Sequence, residues 1–239
     1  MDTIKLINKG STKMVAHRGV SGLERENTMP AFVAAGNRSY YGIETDIHVT
    51  SDGRFIVFHD NTTGRLADVD ANVEEQTFDA LRAIELNDRD GSKRIDLRMP
   101  ALEEYINICK KYEKIAVLEL KNPMPREKVF EVCDVLDACG YRGGTLLISF
   151  DYNNLLYVKE KHPEQAVQFL CGEADEALIQ KLKKDGMGLD INRKSVSKEL
   201  IDLCHANGIE INAWTVDDPG QAEIFASWGI DYITSNIIE

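Results

Sequence analysis

The sequence predicts an α/β fold, a TIM (β/α)8 barrel with a small insertion after the second strand. Three observations predict it. Short runs rich in Ile, Val and Leu alternate with helix-like segments, the pattern of a parallel sheet. Eight main strand-like runs are present in 239 residues, and a closed barrel of eight such units typically takes about 250. No G-x-G-x-x-G follows the first strand, which counts against the open, doubly wound alternative. Residues 1–239 are read as one barrel domain, with residues 61–99 inserted over its active-site face.

The elements follow in order. Lys13 to His17 is a short apolar run ending in polar residues. Asn27 and Thr28 offer N-caps, with Pro30 in the first turn of a helix reaching Gly36. Tyr40 to Thr50 reads as a strand that turns through Ser51, Asp52 and Gly53 into Phe55 to Phe58, a hairpin. The stretch from His59 to Pro100 is polar, with one weak helical patch at Phe78 to Ile84. Then come a helix at Leu102 to Tyr112, a strand at Ile115 to Leu120, a helix at Arg126 to Cys139 and a strand at Leu146 to Phe150. The alternation continues with a helix at Tyr152 to Lys161, a strand at Ala166 to Leu170, a helix at Glu176 to Lys184 and a strand at Gly188 to Ile191. Helix Ser197 to Asn207 closes at Gly208, a natural C′ residue. A strand at Ile209 to Val216, a helix at Gly220 to Trp228 and a strand at Tyr232 to Thr234 complete the set. No eighth helix follows Thr234, and the N-terminal segment is a candidate cover for that gap.

Composition narrows the function. Forty acidic and 28 basic side chains give a formal charge of −12, which argues against nonspecific binding to nucleic acid or an anionic membrane. No stretch of about 20 apolar residues spans a membrane, and residues 1–10 lack the apolar block of a signal peptide. The five cysteines include no C-x-x-C pair, so they are expected to be reduced, mostly buried and cytoplasmic.

Barrel chemistry sits at the C-terminal ends of the strands. Glu44 and Asp46, two apart on a strand, point to one face, and Glu119 repeats the pattern on the next strand with Lys121. Three carboxylates converging there repel one another unless a cation lies between them, and oxygen ligands suit Mg²⁺ or Ca²⁺. Taken singly, each carboxylate reads as an ordinary strand-end charge. Together, flanked by His17 and His59, they read as a site. The two imidazoles could serve as general acid and base, since they titrate near a pH of about 6.5. Arg18 and Lys121 either balance the acidic cluster or hold a phosphate. Trp214 either stacks on substrate or packs. His48, His162 and His205 are assigned no chemistry.

These residues resemble a known family. Ala16-His17-Arg18-Gly19 with Glu26-Asn27-Thr28 and Ala31-Phe32 is similar to the opening signature of the glycerophosphodiester phosphodiesterase family. Glu44-Thr45-Asp46, Asp52-Gly53 and His59-Asp60 resemble its E-x-D…DG…HD block. Pro100 to Glu104, Glu119-Leu120-Lys121 and Asn212 to Val216 resemble its later motifs. The resemblance implies metal-dependent hydrolysis of glycerophosphodiesters to sn-glycerol 3-phosphate and an alcohol. It implies that Glu44, Asp46 and Glu119 bind one divalent cation, that His17 and His59 are the acid/base pair, and that Arg18 and Lys121 contact phosphate. Phe150 and Trp214 would line the glycerol or alcohol side, and Glu26 would support the site rather than bind metal. One departure is present: Ser235 stands where the family usually has an aspartate, so a supporting contact is expected to be missing. The competing readings are a lysophospholipid substrate, a phosphate-binding barrel without turnover, and a sugar-phosphate isomerase.

Overall fold

The computed structural model describes residues 2–239. Its nine strands are β1 (Lys13–Ala16), β2 (Gly42–Val49), β3 (Phe55–Val57), β4 (Ile115–Leu120), β5 (Thr145–Ser149), β6 (Val167–Cys171), β7 (Gly188–Asn192), β8 (Ile211–Trp214) and β9 (Tyr232–Ser235). The helices are α1 (Met29–Gly36), α2 (Phe78–Ala83), α3 (Leu102–Lys111), α4 (Arg126–Ala138), α5 (Tyr152–Lys161), α6 (Glu176–Asp185), α7 (Lys198–Ala206) and α8 (Pro219–Ser227). The strands order as β1-β9-β8-β7-β6-β5-β4-β2-β3, and β1 also pairs with β2, so all but β3 close into a ring. Every ring pairing is parallel, whereas β3 is antiparallel to β2 and lies outside the ring. The fold is the (β/α)8 barrel that the alternation predicts.

Strand parity sorts side chains between two cores. Ile43 and Ile47 of β2, with Ala116, Leu118 and Leu120 of β4, belong to the large core between ring and helices. Residues of opposite parity therefore face the barrel axis: Glu44 and Asp46 on β2, and Val117, Glu119 and then Lys121 on and after β4. Val15, Val117, Leu146, Ile148, Leu170 and Tyr232 fill the barrel interior as a separate apolar cluster. The carboxylate cluster gathers above that plug, at the C-terminal ends of the strands. A hollow of about 270 Å³ at the other end is lined by Gln168, Gly186, Gly188 and Gly208 among others and gathers no acidic cluster.

Residues beyond β3 carry a third core, with Leu66, Val73, Phe78, Leu81, Leu86, Leu97 and Met99 packed on Ile56 and Phe58. The stretch from 61 to 99 is polar in composition yet has its own packed centre. Its α2 is capped by Thr77, whose hydroxyl accepts from the Ala80 amide. The hairpin turn forms as expected: Gly53 takes a φ of +80°, and its amide bonds the Thr50 carbonyl at 2.8 Å.

Among the described residues no helix follows β9. The N-terminal segment pairs there instead: the Leu6 amide donates to the Glu239 carbonyl and the Glu239 amide to the Ile4 carbonyl, both at 2.8 Å. Leu6 and Ile238 are buried in the large core. Two local readings differ from the structure. The strand read as Ile209 to Val216 shortens, because the Ile209 amide closes the end of α7 on the Cys204 carbonyl. Neither expected N-cap makes a capping bond on α1: Thr28 bonds the Arg25 carbonyl, and the Asn27 amide is drawn to Asp46.

Candidate active site

Glu44, Asp46 and Glu119 meet at the barrel mouth. One carboxylate oxygen from each lies within 4.8 Å of the others, and all three residues are buried. Two cations stand beside them. Lys121 Nζ lies 2.8 Å from Glu119 Oε1 and 3.6 Å from Asp46 Oδ1, and Arg18 Nε lies 3.7 Å from Asp46 Oδ2. Three buried carboxylates against two cations leave an excess of negative charge. Burial and then the charge of Asp46 raise Glu44 well above the usual carboxylate range, and push Glu119 up to about 7. Burial also opposes ionisation of Asp46, but Arg18 and Lys121 outweigh it and hold that carboxyl low. A hard divalent cation would relieve this frustration, and the donor set, all carboxylate oxygen, fits one.

The loop after β1 is shaped around these acids. Arg18 adopts a left-handed backbone with φ of 54°, uncommon for a residue with a side chain, and this aims its amide at Glu44 Oε2, 2.8 Å away. Gly19 must follow: a Cβ there would lie 2.7 Å from Ala31. Asn27 Nδ2 donates to Asp46 Oδ2 at 2.8 Å while its Oδ1 accepts from Thr45 at 2.7 Å. Glu26 stands outside the carboxylate cluster. It accepts from Arg18 Nη1 at 2.7 Å and from both terminal nitrogens of Arg65. Burial alone would raise its carboxyl, but the Arg65 hydrogen bonds and the Arg18 charge pull it down to about 2.

The two histidines border the same cavity of about 110 Å³, with Arg18, Glu44 and Glu119 on one side and Ile148, Phe150, Leu170, Asp190 and Trp214 on the other. His59 Nδ1 faces Asp60 Oδ1 at 2.6 Å, and Arg65 Nε holds the other Asp60 oxygen at 2.5 Å. His48, fully buried, braces this loop by placing Nε2 3.3 Å from the His59 carbonyl and Nδ1 2.9 Å from Glu74. Burial and then Arg18 depress His17 to about 4, so its imidazole is neutral near pH 7. Phe150 and Trp214 meet edge to face at 5.6 Å and form the apolar wall.

Each site residue expected from the sequence borders this mouth or touches a residue that does. Sequence reasoning missed four more. Asn27 looks like a helix cap in sequence. Asp190 lies on the axis face of β7, where burial pushes its carboxyl up to about 8; its spacing from Gly188 and Asn192 was the available signal. Asn236 and Asp217 lie in the loops after β9 and β8, with nothing in their local sequence to mark them. Ser235 is likewise not silent: its hydroxyl donates to Asp217 Oδ1 at 2.9 Å, a carboxylate from the neighbouring loop.

Comparison with known proteins now decides the family. The Glycerophosphoryl diester phosphodiesterase family model matches residues 17–239. The chain belongs to the glycerophosphoryl diester phosphodiesterase family. It is accordingly an enzyme of the glycerophosphodiester phosphodiesterase type. A glycerophosphodiester phosphodiesterase of Caldanaerobacter subterraneus is 27% identical over 232 residues, 94% of each chain. One from Bacillus altitudinis is 26% identical over 93% of each. Among solved structures, a glycerophosphodiester phosphodiesterase from Parabacteroides distasonis aligns with a TM-score of 0.79 at 28% identity, covering 95% of this chain and 93% of that one. An Oleispira antarctica phosphodiesterase, solved with the product sn-glycerol-3-phosphate, shares the fold with a TM-score of 0.85 at 24% identity, covering 94% and 92%. No helix among the described residues of this family member is long and apolar enough to cross a membrane.

Proposed function

We propose that this phosphodiesterase-family chain hydrolyses small glycerophosphodiesters, such as glycerophosphocholine or glycerophosphoethanolamine, to sn-glycerol 3-phosphate and an alcohol. The observation that carries the reading is one small cavity lined by Glu44, Glu119, Arg18 and both imidazoles, with Asp46 and Lys121 in contact with these residues behind it. A second observation supports a polar ligand: Arg18 Nε, Trp214 Nε1 and Asp190 Oδ1 are buried without hydrogen-bond partners among the described residues, and all three residues line that cavity.

Glu44, Asp46 and Glu119 would hold one divalent cation, Mg²⁺ or Ca²⁺. Bound there, it would act as a Lewis acid toward a phosphate oxygen. Arg18 and Lys121 bind the remaining phosphate charge, Arg18 through an Nε–H that has no hydrogen-bond partner among the described residues. His17 and His59 carry the protons: one accepts the nucleophile's proton, and the other donates to the leaving alkoxide, help worth about 10²–10⁴-fold in rate. Glu26 keeps Arg18 oriented. Phe150 and Trp214 flank the glycerol or alcohol carbons. Residues 1–239 act as one barrel domain, with 61–99 as the cover beside the mouth, fixed to it through the Arg65 contacts with Asp60 and Glu26.

A cavity of about 110 Å³ suits a glycerophosphate head better than an acyl chain, so the small diesters are favoured over lysophospholipids. Five cysteines, with no disulfide among the described residues, favour the reducing cytoplasm. Assaying the purified chain with Mg²⁺ or Ca²⁺ on glycerophosphocholine and lysophosphatidylcholine tests the substrate. Turnover of glycerophosphocholine is expected to dominate, and preference for the lysolipid would overturn the assignment.

A further inference from the structure

His17 is held by a chain of hydrogen bonds that reaches the protein surface. Its Nδ1 lies 2.7 Å from Asn236 Oδ1. Asn236 Nδ2 donates to Asp217 Oδ2 at 2.6 Å, and the Asn236 amide donates to Asp217 Oδ1 at 2.8 Å. Ser235 Oγ donates to that same Oδ1. The Ser21 hydroxyl lies 2.6 Å from Asn236 Oδ1 and 2.8 Å from the His17 carbonyl.

A carboxylate can only accept, and an amide donates only from nitrogen. Asp217 therefore fixes which way the Asn236 amide points. The reverse orientation would press an amide oxygen against a carboxylate oxygen at 2.6 Å. With Nδ2 committed to Asp217, Asn236 presents its oxygen to His17. A neutral imidazole facing an acceptor must carry its proton there, on Nδ1. Its other nitrogen, Nε2, is then the bare one.

We infer that Asp217 is a positioning residue: acting through Asn236, it sets the tautomer of His17, keeping the proton on Nδ1 and the lone pair on Nε2. This rests on the proposed role of His17 in proton transfer, because only that role makes the tautomer matter to rate. It also gives Ser235 a task, as a donor that steadies the Asp217 carboxylate.

The test exchanges donor and acceptor. In Asp217→Asn, the amide oxygen stays with the two donors at Oδ1, so its NH₂ faces Asn236. Asn236 must turn over, present NH₂ to His17 Nδ1, and drive the proton to Nε2. The double variant Asp217→Asn with Asn236→Asp restores an acceptor opposite His17 Nδ1. Ring-nitrogen signals of ¹⁵N-histidine protein near pH 7, assigned by the signal lost in His17→Gln, report the tautomer directly. The expected result is Nδ1–H in the parent chain, Nε2–H in Asp217→Asn, and Nδ1–H again in the double variant. For glycerophosphocholine, kcat should fall at least 100-fold in the single variant with KM within about twofold, and recover to within tenfold in the double.

An Nε2–H signal in the parent chain overturns the inference even if no variant folds. So does an Asp217→Asn protein that keeps Nδ1–H, or one that loses activity with no recovery in the double variant. If the tautomers switch as stated but the parent chain hydrolyses no glycerophosphodiester, the functional reading fails and the positioning role stands.

Discussion

Lys121 Nζ sits 2.8 Å from Glu119 Oε1, two residues back along the same face of the barrel. The ammonium occupies charge space that a metal ion would otherwise share. Burial works against that ammonium, but Asp46 and Glu119 more than compensate and hold it protonated. Lys121→Met should therefore have opposite effects on two ligands. Metal affinity should rise several-fold, because a competing cation is gone. KM for the diester should rise roughly tenfold or more, since a hydrogen bond to a charged group is worth about 1.5–3 kcal/mol. Calorimetric metal titration and steady-state kinetics on one preparation check both signs.

Metal binding should release protons, and the release should depend on pH. Glu119 lies near 7 and Glu44 well above its ordinary value in the metal-free protein. Below pH 7 Glu119 is largely protonated and must ionise to bind, and the raised pKa of Glu44 adds to the protons displaced. Affinity should rise as pH increases through 7 and then level. Titrations at pH 6 and pH 8, in buffers of different ionisation enthalpy, should show greater proton release at pH 6.

Asp190 predicts a stability gain. Its folded carboxyl titrates near 8, while an unfolded one titrates near 3.8. Between those values the native state binds the extra proton, so stability falls as pH rises from about 4 to 8. Asp190→Asn removes that penalty. In EDTA its melting temperature should match the parent near pH 4 and exceed it increasingly up to pH 8, by on the order of 1–3 kcal/mol in stability.

Arg65 links the 61–99 segment to the barrel mouth through Glu26 and Asp60. Glu26 titrates near 2 when so paired. Its contribution is present above its ordinary value near 4.5 and is lost as pH falls toward 2. Arg65→Ala should raise the Glu26 pKa and move the onset of acid unfolding to higher pH. Circular dichroism across pH 2–6 follows that onset.

The barrel was legible because its determinants are local. Period-two alternation in Gly42 to Val49 already separates Ile43 and Ile47 from Glu44 and Asp46, and the structure buries the two sets in different places. The three acids of the mouth were legible for the same reason: strand parity aims them, and fold class places the mouth. Asn236 and Asp217 were not, since Asn236 matters by meeting His17, 219 residues away in sequence, and Asp217 by holding Asn236 from another loop. Asn27 shows a different failure. A cap residue and a buried donor to a carboxylate look identical in sequence, and its left-handed φ of 54° distinguishes them only in three dimensions. The 61–99 segment reads as polar because its apolar residues are widely spaced, yet Leu66, Leu81, Leu86 and Leu97 converge on Ile56 and Phe58.

Metal-assisted hydrolysis in which the chain's own imidazoles move the protons makes the sharpest demand on experiment. Phosphorus NMR of glycerophosphocholine with the purified chain tests it most directly, with Mg²⁺, with Ca²⁺ and in EDTA, beside His17→Ala and Glu44→Gln. The expected result is conversion to sn-glycerol 3-phosphate with a divalent cation, none in EDTA, and losses of at least 100-fold in both variants. Hydrolysis that persists in EDTA and in both variants, or no hydrolysis once the cation is bound, would contradict it.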